Sequence, residues 1–289
     1  MTNTTPAAIH GTVVAITGGG RGIGAATAEA LAHRGAKVAI GDLDLEVAEA
    51  TAQRIGRGAL AVRLDVTDPK SFASFLDETE EKLGPLDVLV NNAGIMPLAT
   101  LLEEDDAMTA RMLDLNVRAL ISGSREAARR MVPRRSGHIV NIASTAGKLG
   151  LPGGATYCAT KAAVIGFSEG IEQELAEHGV HVSIVMPGIV QTELAAGVPD
   201  LPGFKSVTPQ AVAEGIAEAL EKPRLEVFVP RTAGPMLKYT RLMPRRSALW
   251  LSSKMGADKV FLAAHADPGR KAYEERAAGT AAAGGNHAD

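Results

Sequence analysis

The sequence predicts a doubly wound α/β fold: a parallel sheet with helices on both faces. Three observations predict it. Short apolar runs alternate with longer helix-patterned stretches through residues 11–230. The runs are continuously apolar, as in Thr12–Thr17 (TVVAIT), which is the pattern of strands covered on both faces. The first run passes through a glycine-rich turn, Gly18–Gly24, directly into a helical stretch.

The elements follow in order. After Thr12–Thr17 comes a helix over Gly22–Arg34, ended by Gly35. Lys37–Gly41 is a second strand closing on Asp42, and Leu45–Ile55 is helical. Leu60–Leu64 is a third strand ending at Asp65. Asp68 and Pro69 supply the cap and first-turn proline of the next helix. Leu86–Val90 (LDVLV) is the fourth strand and runs into Asn91, Asn92, Ala93 and Gly94. Two helical stretches occupy 105–132, then His138–Ala143 forms the fifth strand, ending at Ser144. A Gly/Pro-rich loop leads into a long helix, Tyr157–Glu177. Val180–Met186 is the sixth strand, stopped by Pro187 and Gly188. Pro209–Glu221 is helical, and Leu225–Val229 is the seventh strand. No linker-like stretch interrupts 11–230, so a single domain is expected there, with a lid near 189–206 and a C-terminal helical extension over 231–276. Residues 1–10 and the Ala/Gly-rich 277–289 are expected to be disordered.

Composition narrows the function. The chain of 289 residues is 46% hydrophobic and 22% charged, with a formal net charge of −3. That is an ordinary globular balance and argues against nucleic acid as a partner. Cys158 is the one cysteine, so no intrachain disulfide can form. Met1–His10 has neither the basic nor the apolar region of a signal peptide, and no apolar run approaches the ~18 residues of a spanning helix. A cytoplasmic protein is expected. The seven histidines are scattered without metal-ligand spacing, so no metal site is read.

Two motifs carry chemistry. The glycine turn holds Gly18, Arg21, Gly22, Ile23 and Gly24 between a strand and a helix. Glycines there let the backbone approach a pyrophosphate, and the helix N-terminus offers N–H groups and positive potential. Asp42, at the end of the second strand, fits the carboxylate that bonds a ribose 2′-hydroxyl and would repel a 2′-phosphate. Arg21 pulls the other way, as a cation beside the turn, but Asp42 holds the more direct position. NAD is therefore favoured over NADP. The second motif is Tyr157 with Lys161, four apart on one helix face, opposite Ser144 at the carboxyl end of the fifth strand. Three polar groups of different acidity converge where an open α/β sheet binds its ligands.

These residues resemble the short-chain dehydrogenase/reductase family over residues 11–230. Thr17, Gly18, Gly22 and Gly24 match its T-G-x-x-x-G-x-G turn, and Asn91–Gly94 its N-N-A-G element. Asn116 is similar to its active-site asparagine, and Ser144, Tyr157 and Lys161 to its serine and Y-x-x-x-K. Pro187, Gly188 and Thr192 resemble its P-G turn and nicotinamide contact. The resemblance implies a seven-stranded Rossmann sheet, NAD(P)(H)-dependent oxidoreduction, and a homodimer or homotetramer. It also implies that Asp65 and Val66 lie beside adenine, and that Asn92, Ala93 and Gly94 pack on the cofactor. Asn116 would hold a water that passes the proton outward, and Lys161 would bond the nicotinamide ribose.

The chemistry follows from the residue types. Alcohol oxidation needs a base for the hydroxyl proton and an acceptor for hydride. A phenol with a pKa near 10 is a poor base at neutral pH, and a neighbouring cation favours its phenolate. Tyr157 is thus the expected acid/base, Lys161 its tuner, and Ser144 the holder of the substrate oxygen. The apolar residues of 189–206, with Met96, Leu98 and Leu149, suggest an apolar alcohol or ketone as substrate. The basic, apolar-interleaved stretch 231–259 reads first as a cover on the substrate cleft or an oligomer contact, ahead of a membrane-surface element. A dinucleotide-binding regulator or scaffold without turnover is the alternative of a different class.

Overall fold

Strand β1 (Val13–Thr17) is buried along its whole length and lies in the interior of the sheet. It pairs in parallel with β2 (Lys37–Asp42) on one side and β4 (Val88–Asn91) on the other, with Ile16 facing Ile40 and Val90 in register. With β3 (Leu60–Arg63), β5 (Gly137–Ile142), β6 (Val180–Pro187) and β7 (Glu226–Val229), the order is β3-β2-β1-β4-β5-β6-β7. The direction of winding reverses between β1 and β4, and the crevice at their carboxyl ends is where such a sheet binds ligands. This computed structural model describes residues 9–200 and 205–284.

Alternate strand residues feed two cores, as the period of a strand requires. Val14, Ile16 and Val90 pack with helix α1 (Gly22–His33), α2 (Leu45–Ile55) and α7 (Pro209–Glu221) through Leu31, Ile55 and Ile216. Ala15, Leu89 and Ile139 face the opposite layer, where α3 (Pro69–Leu83) brings Phe72, Phe75 and Leu76 and α5 (Ala119–Met131) brings Ala127 and Met131. The long helix α6 (Ala155–Ala176) completes that face.

Two regions differ from the sequence expectation. The stretch 105–132 is one helical run, α4 (Asp106–Leu113) joined to α5 through a wide π turn, Asp114–Arg118, that carries Asn116. Beyond the sheet lie α8 (Ala233–Leu242), α9 (Arg245–Lys254), α10 (Val260–His265) and α11 (Lys271–Gly284). The disorder expected from 277 onward is therefore corrected as far as Gly284. The alanines are strong helix formers, and Ala277 is buried. Ile9, expected in a disordered start, is likewise buried in the core beside α1. Residues 1–8 and 285–289, and the lid positions Leu201 and Phe204, lie outside the described residues.

Candidate active site

The glycine turn is built for close approach. Gly18 has φ +61°, and a Cβ there would stand 3.0 Å from the Ala93 Cα. At Gly24 a Cβ would run into the Gly18 carbonyl oxygen, so the turn and α1 can pack only without side chains. The turn is braced from β4. The Thr17 hydroxyl accepts from the N–H groups of Asn92 (3.0 Å) and Ala93 (3.1 Å). Asn92 Nδ2 in turn donates to the carbonyls of Thr17 and Gly18, both at 2.9 Å. Asn92 is thus a strut of the turn. No side chain caps the start of α1, and Gly22 and Ile23 line the cavity there.

The acidic residues divide. Asp42 Oδ2 accepts from Gly20 N at 2.9 Å and Oδ1 from Asp44 N at 3.2 Å, which fixes the carboxylate beside the turn. Arg21 pairs with Asp44 at 3.1 Å. Asp65 Oδ1 takes the Thr67 N–H (2.9 Å) and hydroxyl (2.6 Å), closing a local turn. Asp42, Asp65, Val66, Gly24 and Asn116 stand outside the wall of the main cavity, while Gly18, Arg21, Gly22, Ile23, Asn92, Ala93, Gly94, Pro187, Gly188 and Thr192 form part of it.

That cavity, of about 370 Å³, also receives Ser144, Tyr157 and Lys161. Ser144 caps the short 3₁₀ turn after β5, accepting from Ala146 N at 3.1 Å and reaching the Pro187 carbonyl at 3.4 Å. Its hydroxyl stands near enough to the Tyr157 phenol to act on that phenol's acidity. Burial pushes that phenol well up from its usual pKa, while the Ser144 hydroxyl and the Arg270 guanidinium pull the other way. Lys161 Nζ donates to the Ile142 carbonyl at 2.9 Å and lies 5.8 Å from the centre of the Tyr157 ring. Burial pushes its ammonium down to about 8. Asn116 is fully engaged: Oδ1 accepts from Ile95 N (2.9 Å), and Nδ2 donates to Ile95 O (2.8 Å) and Thr160 Oγ1 (3.2 Å). The Cys158 thiol, next to Tyr157, is buried and its pKa is raised by that burial, so it is not an activated nucleophile.

The far end of the cavity is apolar. Met96, Leu149 and Leu151 line it, as do Ile189, Val190, Leu194 and Val198 from the expected lid. The C-terminal extension covers it, with only the end of the stretch singled out in sequence and with residues beyond it. Ala257, Val260, Phe261 and Tyr273 reach the cavity, whereas α9 has no buried residue. The Phe261 ring meets Tyr157 edge-on, centroids 6.3 Å apart. Sequence reasoning missed Arg270, which is 1% exposed yet charged. It donates to the carbonyls of Leu194 (3.0 Å) and Ala196 (2.9 Å), to that of Met96, and pairs with Glu274 at 3.0 Å. One cation ties the segment after β6, the loop after β4 and the C-terminal extension together. The Asp267-Pro268-Gly269 turn before it, followed by a glutamate four residues on, was the local sign of a fixed arginine.

A doubly wound sheet with a glycine cradle at its switch point, and a Ser–Tyr–Lys set in the same cavity, defines a dinucleotide-binding oxidoreductase architecture. The chain belongs to the short-chain dehydrogenase family, whose model matches residues 12–201. It is 41% identical over 191 residues to a sorbitol dehydrogenase from Cereibacter sphaeroides, covering 66% of this chain and 75% of that one. It is 38% identical over 192 residues to the 3-oxoacyl-[acyl-carrier-protein] reductase FabG of Escherichia coli, covering 66% and 78%. Among solved structures it resembles a short-chain dehydrogenase/reductase from Burkholderia phymatum in complex with NAD, with a TM-score of 0.75 and 25% identity over 85% of this chain and 96% of that one. A short-chain type dehydrogenase/reductase from Mycobacterium marinum matches with a TM-score of 0.71 and 29% identity over 76% and 94%.

Proposed function

We propose that this protein is an NAD(H)-dependent oxidoreductase that interconverts a secondary alcohol and a ketone on an apolar small molecule. The observation that carries the reading is the convergence of Ser144, Tyr157 and Lys161 on one cavity, cradled by glycine at one end and apolar at the other. The cradle fits a dinucleotide: the uncapped α1 offers N–H donors to a pyrophosphate, and Gly18 and Gly22 leave the space. When bound, the nicotinamide supplies the hydride transfer and, oxidised, a positive charge.

The chain's own residues do the rest. Tyr157 gives its proton to the ketone oxygen on reduction and takes the hydroxyl proton on oxidation. Its raised pKa keeps it an acid at neutral pH, so the protein as it stands is set to donate. Ser144 donates to the substrate oxygen as negative charge develops there. Lys161 uses one N–H on Ile142 and keeps two, which suits a ribose diol. Asn116 acts by holding Ile95, and so the cavity wall, in place; the outward proton path assigned to it belongs to this same proposal. Asp42 presents a carboxylate beside the turn, and Asp44 neutralises Arg21, the cation that would otherwise welcome a 2′-phosphate. Both features support NAD, as does the NAD in the Burkholderia phymatum relative. Exposed Ala162, Ala163 and Gly166 on α6 offer a flat face for a homodimer or homotetramer, which light scattering checks.

The test is a panel of apolar secondary alcohols and ketones, each assayed with NAD(H) and NADP(H) by cofactor absorbance. Turnover with NAD(H) in preference is expected. Tight dinucleotide binding with no turnover of any substrate would favour a regulator or scaffold instead.

A further inference from the structure

We propose that Tyr273 is a specificity residue that donates a hydrogen bond to a second oxygen on the substrate, so that the preferred substrates are apolar ketones or alcohols carrying another hydrogen-bond acceptor. This rests on the oxidoreductase reading above and deepens it.

Tyr273 comes from the first turn of α11, in the C-terminal extension, yet it lines the same cavity as Ser144 and Tyr157. Its hydroxyl oxygen accepts the Met96 N–H at 2.7 Å. A phenol has one proton to give as well as lone pairs to accept with. Among the described residues nothing accepts that proton. The ring is held on its other side by Arg270, whose guanidinium carbon lies 4.9 Å from the ring centroid. Oxygen and ring are thus both fixed, and the remaining donor stands in an otherwise apolar wall made by Met96, Val260, Phe261 and Leu194.

A part-buried donor with no protein partner gains a bond from an acceptor-bearing ligand and is cut off from water by a plain hydrocarbon. Sites built this way discriminate strongly, because the analogue lacking the acceptor leaves the protein group unpaired. The phenol also stays a donor across the working pH range, because burial pushes its pKa up to about 12. Tyr273 and Tyr157 line one cavity, so one small molecule can meet both hydroxyls, and diketones of different spacing sample the separation.

The experiment compares wild type with Tyr273→Phe on matched ketones: propiophenone, 1-phenyl-1,2-propanedione and 1-phenyl-1,3-butanedione. The expected result is that Tyr273→Phe loses about 10- to 100-fold in kcat/KM on at least one diketone, the worth of one buried hydrogen bond. Propiophenone should lose clearly less than that diketone, and the Kd for NADH should stay within a factor of two. An equal loss on all three ketones, or no loss on either diketone, overturns the proposal while leaving the oxidoreductase reading intact. A wild type inactive on every ketone and alcohol offered, yet folded and binding NADH, overturns that reading and this one with it. Thermal unfolding of the variant separates a selective effect from a loose tail.

Discussion

The Arg270 guanidinium stacks against the Tyr273 ring at 4.9 Å while donating to the Leu194 carbonyl at 3.0 Å, so one side chain joins the C-terminal extension to the segment after β6. Its burial makes the joint a strong one. A charge 1% exposed must be paired, and Glu274 with three carbonyls pairs it.

The first prediction follows from that joint. Arg270→Met should cost about 1–3 kcal/mol of stability, since it leaves the carbonyls of Leu194, Ala196 and Met96 without their donor. Arg270→Lys should recover only part, because an ammonium cannot reproduce the planar fork. Urea midpoints measure the cost. Substrate KM should rise in both variants with little change in NADH affinity, because the glycine cradle lies at the other end of the cavity.

Tyr157→Phe removes the acid/base without removing the ring that packs on Phe261. It should lower kcat by roughly 10²–10⁴-fold and leave NADH binding near wild type. Near-normal turnover in this variant would rule out the assignment. The pH dependence has a definite sign. With the phenol pKa raised, alcohol oxidation should speed up with rising pH, as the base form grows, and ketone reduction should not. Parallel pH–rate profiles in the two directions check this.

How much of this was legible in the sequence depends on whether the signal was local. The helices Leu45–Ile55 and Pro209–Glu221 begin and end where expected, because Asp44 and Thr208 cap their own next turn through Val47 N and Ala211 N. The cavity residues Ser144, Tyr157 and Lys161 were visible because strand end and helix face are both periodic features. The wide turn at Asp114–Arg118 was not, since its marker is a contact between Asn116 and the distant Ile95. Arg270 and Tyr273 were missed for the same reason. Their partners, Leu194 and Met96, lie far back in the chain, and neither residue belongs to a periodic pattern.

Asp42 offers a cleaner test of cofactor choice than Arg21, because Arg21 is already paired to Asp44. Asp42→Ala should lower the preference for NAD by about 10- to 100-fold, the worth of a charge-assisted hydrogen bond. It should also relieve repulsion of a 2′-phosphate, so NADP affinity should rise. The carboxylate holds Gly20 N and Asp44 N as well, so some loss in thermal midpoint is expected. Ratios of kcat/KM for the two cofactors, read alongside that midpoint, decide the matter. An unchanged ratio would mean that Asp42 only shapes the turn.

The last prediction concerns stability and lies away from the site. His138, at the start of β5, is buried and its ring Nε2 meets Ser183 Oγ at 2.9 Å. Ser183 gives its own proton to the Arg224 carbonyl at 2.6 Å, so His138 Nε2 is the donor. Burial, with the nearby His181 ring, pushes the His138 pKa from 6.5 down to about 3. The folded protein therefore binds fewer protons here than the unfolded chain between those values, and stability rises with pH across that window. Above pH 6.5 the group costs nothing. As pH falls to 4.5 the loss reaches about 2–3 kcal/mol. His138→Gln keeps an N–H donor for Ser183 but cannot take a proton, so its urea midpoint should fall less than that of wild type between pH 7 and pH 4.5. Equal falls in the two proteins would assign the acid sensitivity to other groups.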